Sequence, residues 1–71
     1  MTRIPIFFTF DNNFVNPAAV AFFSLLNRAK EGVWYEMYVL HHDITSANRK
    51  LLTEIVNRKG NAALTFIDTF R

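Results

Sequence analysis

A chain of 71 residues without cysteine makes one domain at most, excludes disulfide staples and thiolate metal sites, and buries only about 60% of its unfolded surface. Its 51% hydrophobic fraction, with eight Phe, argues against disorder and is more apolar surface than so short a chain covers by itself. The net charge of only +2, with no interleaving of basic and aromatic residues, leads away from nucleic acid.

The first predicted element is a strand, Ile4-Pro5-Ile6-Phe7-Phe8-Thr9-Phe10, apolar at nearly every position as in a strand covered on both faces. Pro5 lacks an N–H and suits the first ladder position. The polar loop Asp11-Asn12-Asn13 follows, with Phe10 and Phe14 on either side. Asn16 offers an N-cap and Pro17 a first helical residue, opening a helix from Ala18 to Ala29 that Gly32 ends. That helix is apolar over most of its circumference through Leu26, which predicts burial on more than one side.

Trp34 to His41 reads as the second strand, its aromatic and β-branched content deciding against helix. Thr45 or Ser46 caps a second helix with Ala47, Leu51, Leu52, Ile55 and Val56 in one narrow apolar stripe, and Gly60 falls at the expected left-handed C-cap. Ala62 to Asp68 is the third strand. The pairs Arg28/Lys30 and Arg58/Lys59 sit where a helix macrodipole favours cations, so they need no partner. The N-terminal stretch is too short and ends wrongly for a signal peptide, and nothing approaches the ~20 apolar residues of a membrane span. A cytoplasmic location is the expectation.

Strand, helix, strand, helix, strand with short connections predicts an α/β fold. It is a three-stranded parallel β-α-β-α-β unit of order 3-2-1 with right-handed crossovers and both helices on one face. The other face is then bare, presenting either Ile4, Ile6, Phe8 and Phe10 or Phe7 and its neighbours. An exposed apolar sheet face marks an interface or a missing layer. The expectation is therefore the start of a larger domain, or self-association through that face and the open edge of the first strand.

Asp11-Asn12-Asn13 is by composition a turn-former. Its position, at the carboxyl end of the first strand and before a helix, is where open α/β sheets bind nucleotides. Neither G-x-G-x-x-G nor a Walker loop is present, which disfavours dinucleotide and P-loop binding.

Four ordered segments carry a resemblance across essentially the whole chain. They are Ile6-Phe7-Phe8-Thr9-Phe10-Asp11-Asn12-Asn13-Phe14, then Ala18-Ala19-Val20 with Ser24-Leu25-Leu26, then Tyr38-Val39-Leu40-His41-His42-Asp43-Ile44, and Phe66-Ile67-Asp68. Together they resemble the N-terminus of family 8 glycosyltransferases, retaining enzymes of the GT-A fold that include bacterial lipopolysaccharide galactosyl- and glucosyltransferases and the glycogenin group. The resemblance implies that residues 1–71 are the incomplete nucleotide-binding start of such a domain. It implies a uridine pocket in which the Thr9 backbone meets the nucleoside, Asp11 accepts a hydrogen bond from uracil, Asn13 donates to it and Phe14 stacks on the ring. Uracil presents one N–H between two carbonyls, so an acceptor plus an amide suits its edge. The family often has Tyr at the Phe14 position, so a hydroxyl contact is lost here while stacking survives.

The resemblance also implies a UDP-sugar donor, a carbohydrate or lipid-linked acceptor, peripheral association of the parent at the inner face of the membrane, and a divalent metal, manganese. The family's Asp-x-Asp metal motif lies downstream of the third strand and does not occur in these residues. Metal, diphosphate and acceptor sites are thus expected outside this chain, which is expected to be inactive alone and to hold no catalytic residue. The competing expectation is a non-catalytic interaction or assembly module that uses the bare sheet face.

Other chemistry-bearing residues have plainer readings. His41 and His42, as strand neighbours, point to opposite faces and cannot easily share an ion, while His41 and Asp43 could lie on the same side. A solvated strand end or the turn into the second helix accounts for them, and Asp68 reads as structural. Ser24 sits between Phe23 and Leu25 with no acid-base partner, so it is no nucleophile. Trp34, Tyr35, Met37 and Tyr38 read as core, a sugar-stacking platform arising only if one face is open.

Overall fold

The computed structural model describes residues 2–69. They form β1 (Thr2–Thr9), a 3-10 turn (Asn12–Phe14), α1 (Val15–Asn27), β2 (Val33–His41), α2 (Ser46–Lys59) and β3 (Ala62–Asp68). The sheet order is β1-β2-β3 and both pairings are parallel, as the alternation of elements predicts.

The register separates the two sheet faces. Ile6, Met37 and Leu64 lie abreast, as do Phe8, Val39 and Phe66, and side chains abreast in a sheet share a face. Met37 and Val39 are fully buried, joined by Phe22 and Leu26 from α1 and Leu52 and Val56 from α2. One helical layer thus covers one face, and the core lies between the two. Phe8 packs its ring 4.9 Å from that of Phe22, and Phe10 meets the same ring at 6.2 Å, edge on.

The opposite face carries Phe7, Tyr38 and Thr65 abreast. Of the two alternatives the sequence leaves open, it is therefore Phe7 and its neighbours that are bare. Phe7 is 65% exposed although its ring stacks on Tyr38 at 4.8 Å. Arg3 and Glu36 pair on this face at 2.6 Å, and such an exposed pair adds little stability. The chain alone is expected to self-associate through this surface. Sedimentation should show a weight-average mass rising with concentration and Phe7→Lys should lower it; a monomer throughout would contradict the argument.

Four expectations need correction. Pro5 is not at the first ladder position: β1 begins at Thr2 and Pro5 is its fourth residue, abreast of Glu36, on a strand that pairs only with β2 among the described residues, where proline is tolerated. The helix does not start at an Asn16 cap: Phe14 is the N-cap residue of α1 and makes no side-chain cap bond. The cap has moved upstream because Asp11 closes the 3-10 turn, its Oδ1 accepting from the Asn13 amide at 3.0 Å, and that turn runs directly into α1. Pro17 still falls in the first turn, where a missing N–H costs nothing. At its other end α1 stops at Asn27, five residues before Gly32, which takes φ 80° in the turn into β2.

Nor is α1 buried on more than one side. Val15, Ala18, Phe22 and Leu26 face the core, whereas Val20 is 67% and Phe23 52% exposed, because only the sheet and α2 pack against it. Lys59 partly shields Phe23, its Nζ 5.5 Å from the ring centroid while donating to Asn27 Oδ1 at 2.8 Å. Thr45 does cap α2, Oγ1 accepting from the Asn48 amide at 3.2 Å, and Gly60 ends it at φ 74°.

Candidate functional site

Parallel strands end on the same side of a sheet, so the loops after β1 and β2 lie side by side. Thr9 is the last residue of β1 and Phe14 the last before α1. Thr9, Phe10, Asp11 and Phe14 line one open cleft of about 250 Å³. Three of the four residues implied for uridine are thus brought together, with Phe10 added. Asn13 does not line the cleft. It is exposed, and its amide is used by Asp11.

The phenyl ring of Phe14 is 52% exposed and stands 6.0 Å from Phe10 at 50°. Phe10 packs against Phe22 on its other side, so the cleft has an aromatic base packed onto the core and one accessible ring. Asp11 commits Oδ1 to the turn, which fixes the carboxylate direction while leaving an exposed acceptor at the cleft. The site can therefore offer an aromatic face, a carboxylate and the backbone at the end of a strand.

Behind the cleft runs a set of hydrogen bonds that sequence reasoning missed. The Asn12 amide donates to Asp43 Oδ1 at 3.0 Å, and Asn12 Oδ1 accepts from the Thr45 amide at 3.2 Å and from Asn48 Nδ2 at 2.9 Å. One side chain thus ties the β1 loop to the β2–α2 connection and to the first turn of α2. The partners lie 31 to 36 residues away, so no local signal discloses them.

His41 belongs to the same connection but is not a solvated strand end. It is buried, its Nδ1 accepting from the Ile44 amide at 3.3 Å, with its ring perpendicular to that of Phe66 at 5.6 Å. The reading as a turn into the helix holds, and the solvated reading fails because the ring is enclosed by Phe66 of β3 and the turn at Ile44. Its Nε2 is buried without a hydrogen-bond partner among the described residues. Asp43 serves the turn as expected, with the added link to Asn12. No group of three His, Cys, Asp or Glu that could hold a metal occurs among the described residues.

Of the four β2 residues read as core, Met37 is buried and Tyr35 packs against the core, whereas Trp34 and Tyr38 are not core but lie on the bare face, Tyr38 against Phe7. A larger cleft of about 330 Å³ lies at the opposite, amino-terminal end of the sheet, between Lys30 to Trp34 and Gly60 to Asn61. It contains none of the sequence-singled polar loop, and size alone gives it no chemistry. No helix among the described residues is long and apolar enough to cross a membrane.

Fold and cleft define an open parallel α/β unit with an aromatic and acidic pocket at the carboxyl end of its first strand. Among solved structures the chain is similar to the apo structure of WbbM, a bifunctional glycosyltransferase. The TM-score is 0.86 and the identity 21%, over 93% of this chain and 12% of that one. At that identity the likeness is one of fold, and the chain spans only a small part of the other protein's length. No protein-family model and no curated protein matches the sequence.

Proposed function

We propose that this chain is the donor-nucleoside part of a UDP-sugar-dependent hexosyltransferase of the retaining, family 8 kind. The observation that carries the reading is the shared cleft of Thr9, Phe10, Asp11 and Phe14 at the end of β1. The fold likeness to a glycosyltransferase supports it, as do the four sequence segments. In this reading Phe14 stacks on uracil, Asp11 accepts from its ring N–H, and the Thr9 backbone faces the nucleoside. Asn13, outside the cleft lining, reaches the base only by its amide side chain turning inward. The hexose acceptor, a carbohydrate or lipid-linked sugar, the manganese ion and the groups that handle the diphosphate belong to other parts of a longer, cytoplasmic parent associated with the inner face of the membrane.

Binding is expected to be weak, because the nucleoside half of a donor site lacks the contacts to the diphosphate. Titration of the ¹⁵N-labelled chain with UDP should shift the amide signals of Asp11, Asn13 and Phe14 and leave those of the cleft at Gly32 and Gly60 unmoved. Absence of any shift at millimolar UDP would sink the assignment.

A further inference from the structure

A loop that reads a base must be ordered before the base arrives, since any ordering left to the binding step is subtracted from affinity. The β1 loop is exposed along most of its length: Asp11, Asn13 and Phe14 are all exposed, and Phe10 and Asn12 are half-buried. Asp11 organises the turn locally, but its bond to the Asn13 amide spans two residues and ties the loop to no other element.

We propose that Asn12, Asp43 and Asn48 are positioning residues for nucleoside recognition, locking the β1 loop onto α2 so that Asp11 and Phe14 are preset in the cleft. This rests on the uridine reading above and adds residues to it that touch no part of the ligand. Three observations carry it. Asn12 uses both its amide and its side-chain oxygen outward, to Asp43, Thr45 and Asn48, and none of those bonds is within its own turn. The bond to Asp43 is charge-assisted, with a carboxylate as acceptor, which makes it stronger than a neutral one. The anchor points are themselves fixed: Thr45 caps α2, and Ile44 between Asp43 and Thr45 is buried with its amide held by His41.

The apparent affinity of a site falls with the fraction of molecules in the competent conformation. If losing one anchor lowers that fraction to about a tenth, the dissociation constant rises about tenfold. The test uses Asp43→Ala and Asp43→Asn in the full chain, with UDP as the probe. Asp43→Ala should weaken UDP binding about tenfold and speed amide hydrogen exchange at Asn12 and Asn13. Asp43→Asn keeps an acceptor for the Asn12 amide and should restore most of both, a rescue that a general loss of stability would not produce.

Native UDP affinity in Asp43→Ala, or no rescue by Asp43→Asn, would overturn the proposal. Should the native chain itself fail to bind UDP, the uridine reading falls, and the exchange measurement still decides the tie: accelerated and rescued exchange upholds loop locking, unchanged exchange refutes it.

Discussion

Phe22→Ala is expected to abolish the native fold. Phe22 is 1% exposed and is the largest fully buried side chain among the described residues, placed where α1 meets the sheet. Truncating a buried Phe costs about 3–5 kcal/mol, from lost transfer energy and the cavity left behind. Natural domains hold about 0.05–0.15 kcal/mol per residue, and a unit with one covered sheet face falls at the low end of that range. The substitution therefore removes most or all of the stability available. Phe22→Leu leaves a smaller void and should keep the fold with a lowered urea midpoint. Dispersed amide NMR spectra and cooperative urea transitions check both variants, and a cooperative transition for Phe22→Ala near the native midpoint would refute the argument.

The same residue links packing to the site. Phe22 contacts Phe8 and Phe10, and Phe10 in turn backs Phe14. A partial loss of packing at Phe22 should thus reach the cleft through the Phe10 ring that joins the two. In Phe22→Leu, side-chain signals of Phe10 and Phe14 should broaden.

How much of this was legible follows from the range of each interaction. Strand identity is written in composition along a few residues, and β3 runs from Ala62 to Asp68 as read. The Thr45 cap and the left-handed Gly60 are equally local. The start of α1 differs from the sequence expectation because two signals compete between Asp11 and Pro17: Asn16-Pro17 has the chemistry of a helix start, but Asp11 caps first and the turn carries the chain into the helix before Asn16 is reached.

The exposed flank of α1 departs from expectation for a different reason. Hydrophobicity around a helix reports what could be buried, and Val20 and Phe23 have no layer against them among the described residues. The site divides in the same manner. Thr9, Asp11 and Phe14 come together because they flank a short loop, whereas the hold of Asp43 and Asn48 on Asn12 exists only once the parallel sheet brings two connections to one edge.

Phe14→Ala should separate binding from folding. The ring is half-exposed and touches Phe10 at the rim, and Phe14 caps α1 through its backbone without a side-chain bond, so its removal costs the fold little. Stacking of a base on an aromatic ring is worth about 1–3 kcal/mol, so UDP binding should weaken about 5- to 150-fold with a nearly unchanged urea midpoint. Phe14→Tyr keeps the face and should bind at least as well as the native chain. Asp11 needs a more careful substitution, because its Oδ1 also closes the turn: Asp11→Asn retains that acceptor and removes the charge, whereas Asp11→Ala would confound the two. A carboxylate facing the base selects uracil, whose ring N3 carries a hydrogen, over cytosine, whose N3 is an acceptor. UDP should therefore bind more tightly than CDP to the native chain, and Asp11→Asn, which offers a donor as well as an acceptor, should narrow the difference. Equal affinity for the two nucleotides in the native chain would remove Asp11 from the base-reading role, and an unweakened Phe14→Ala would remove the stacking ring.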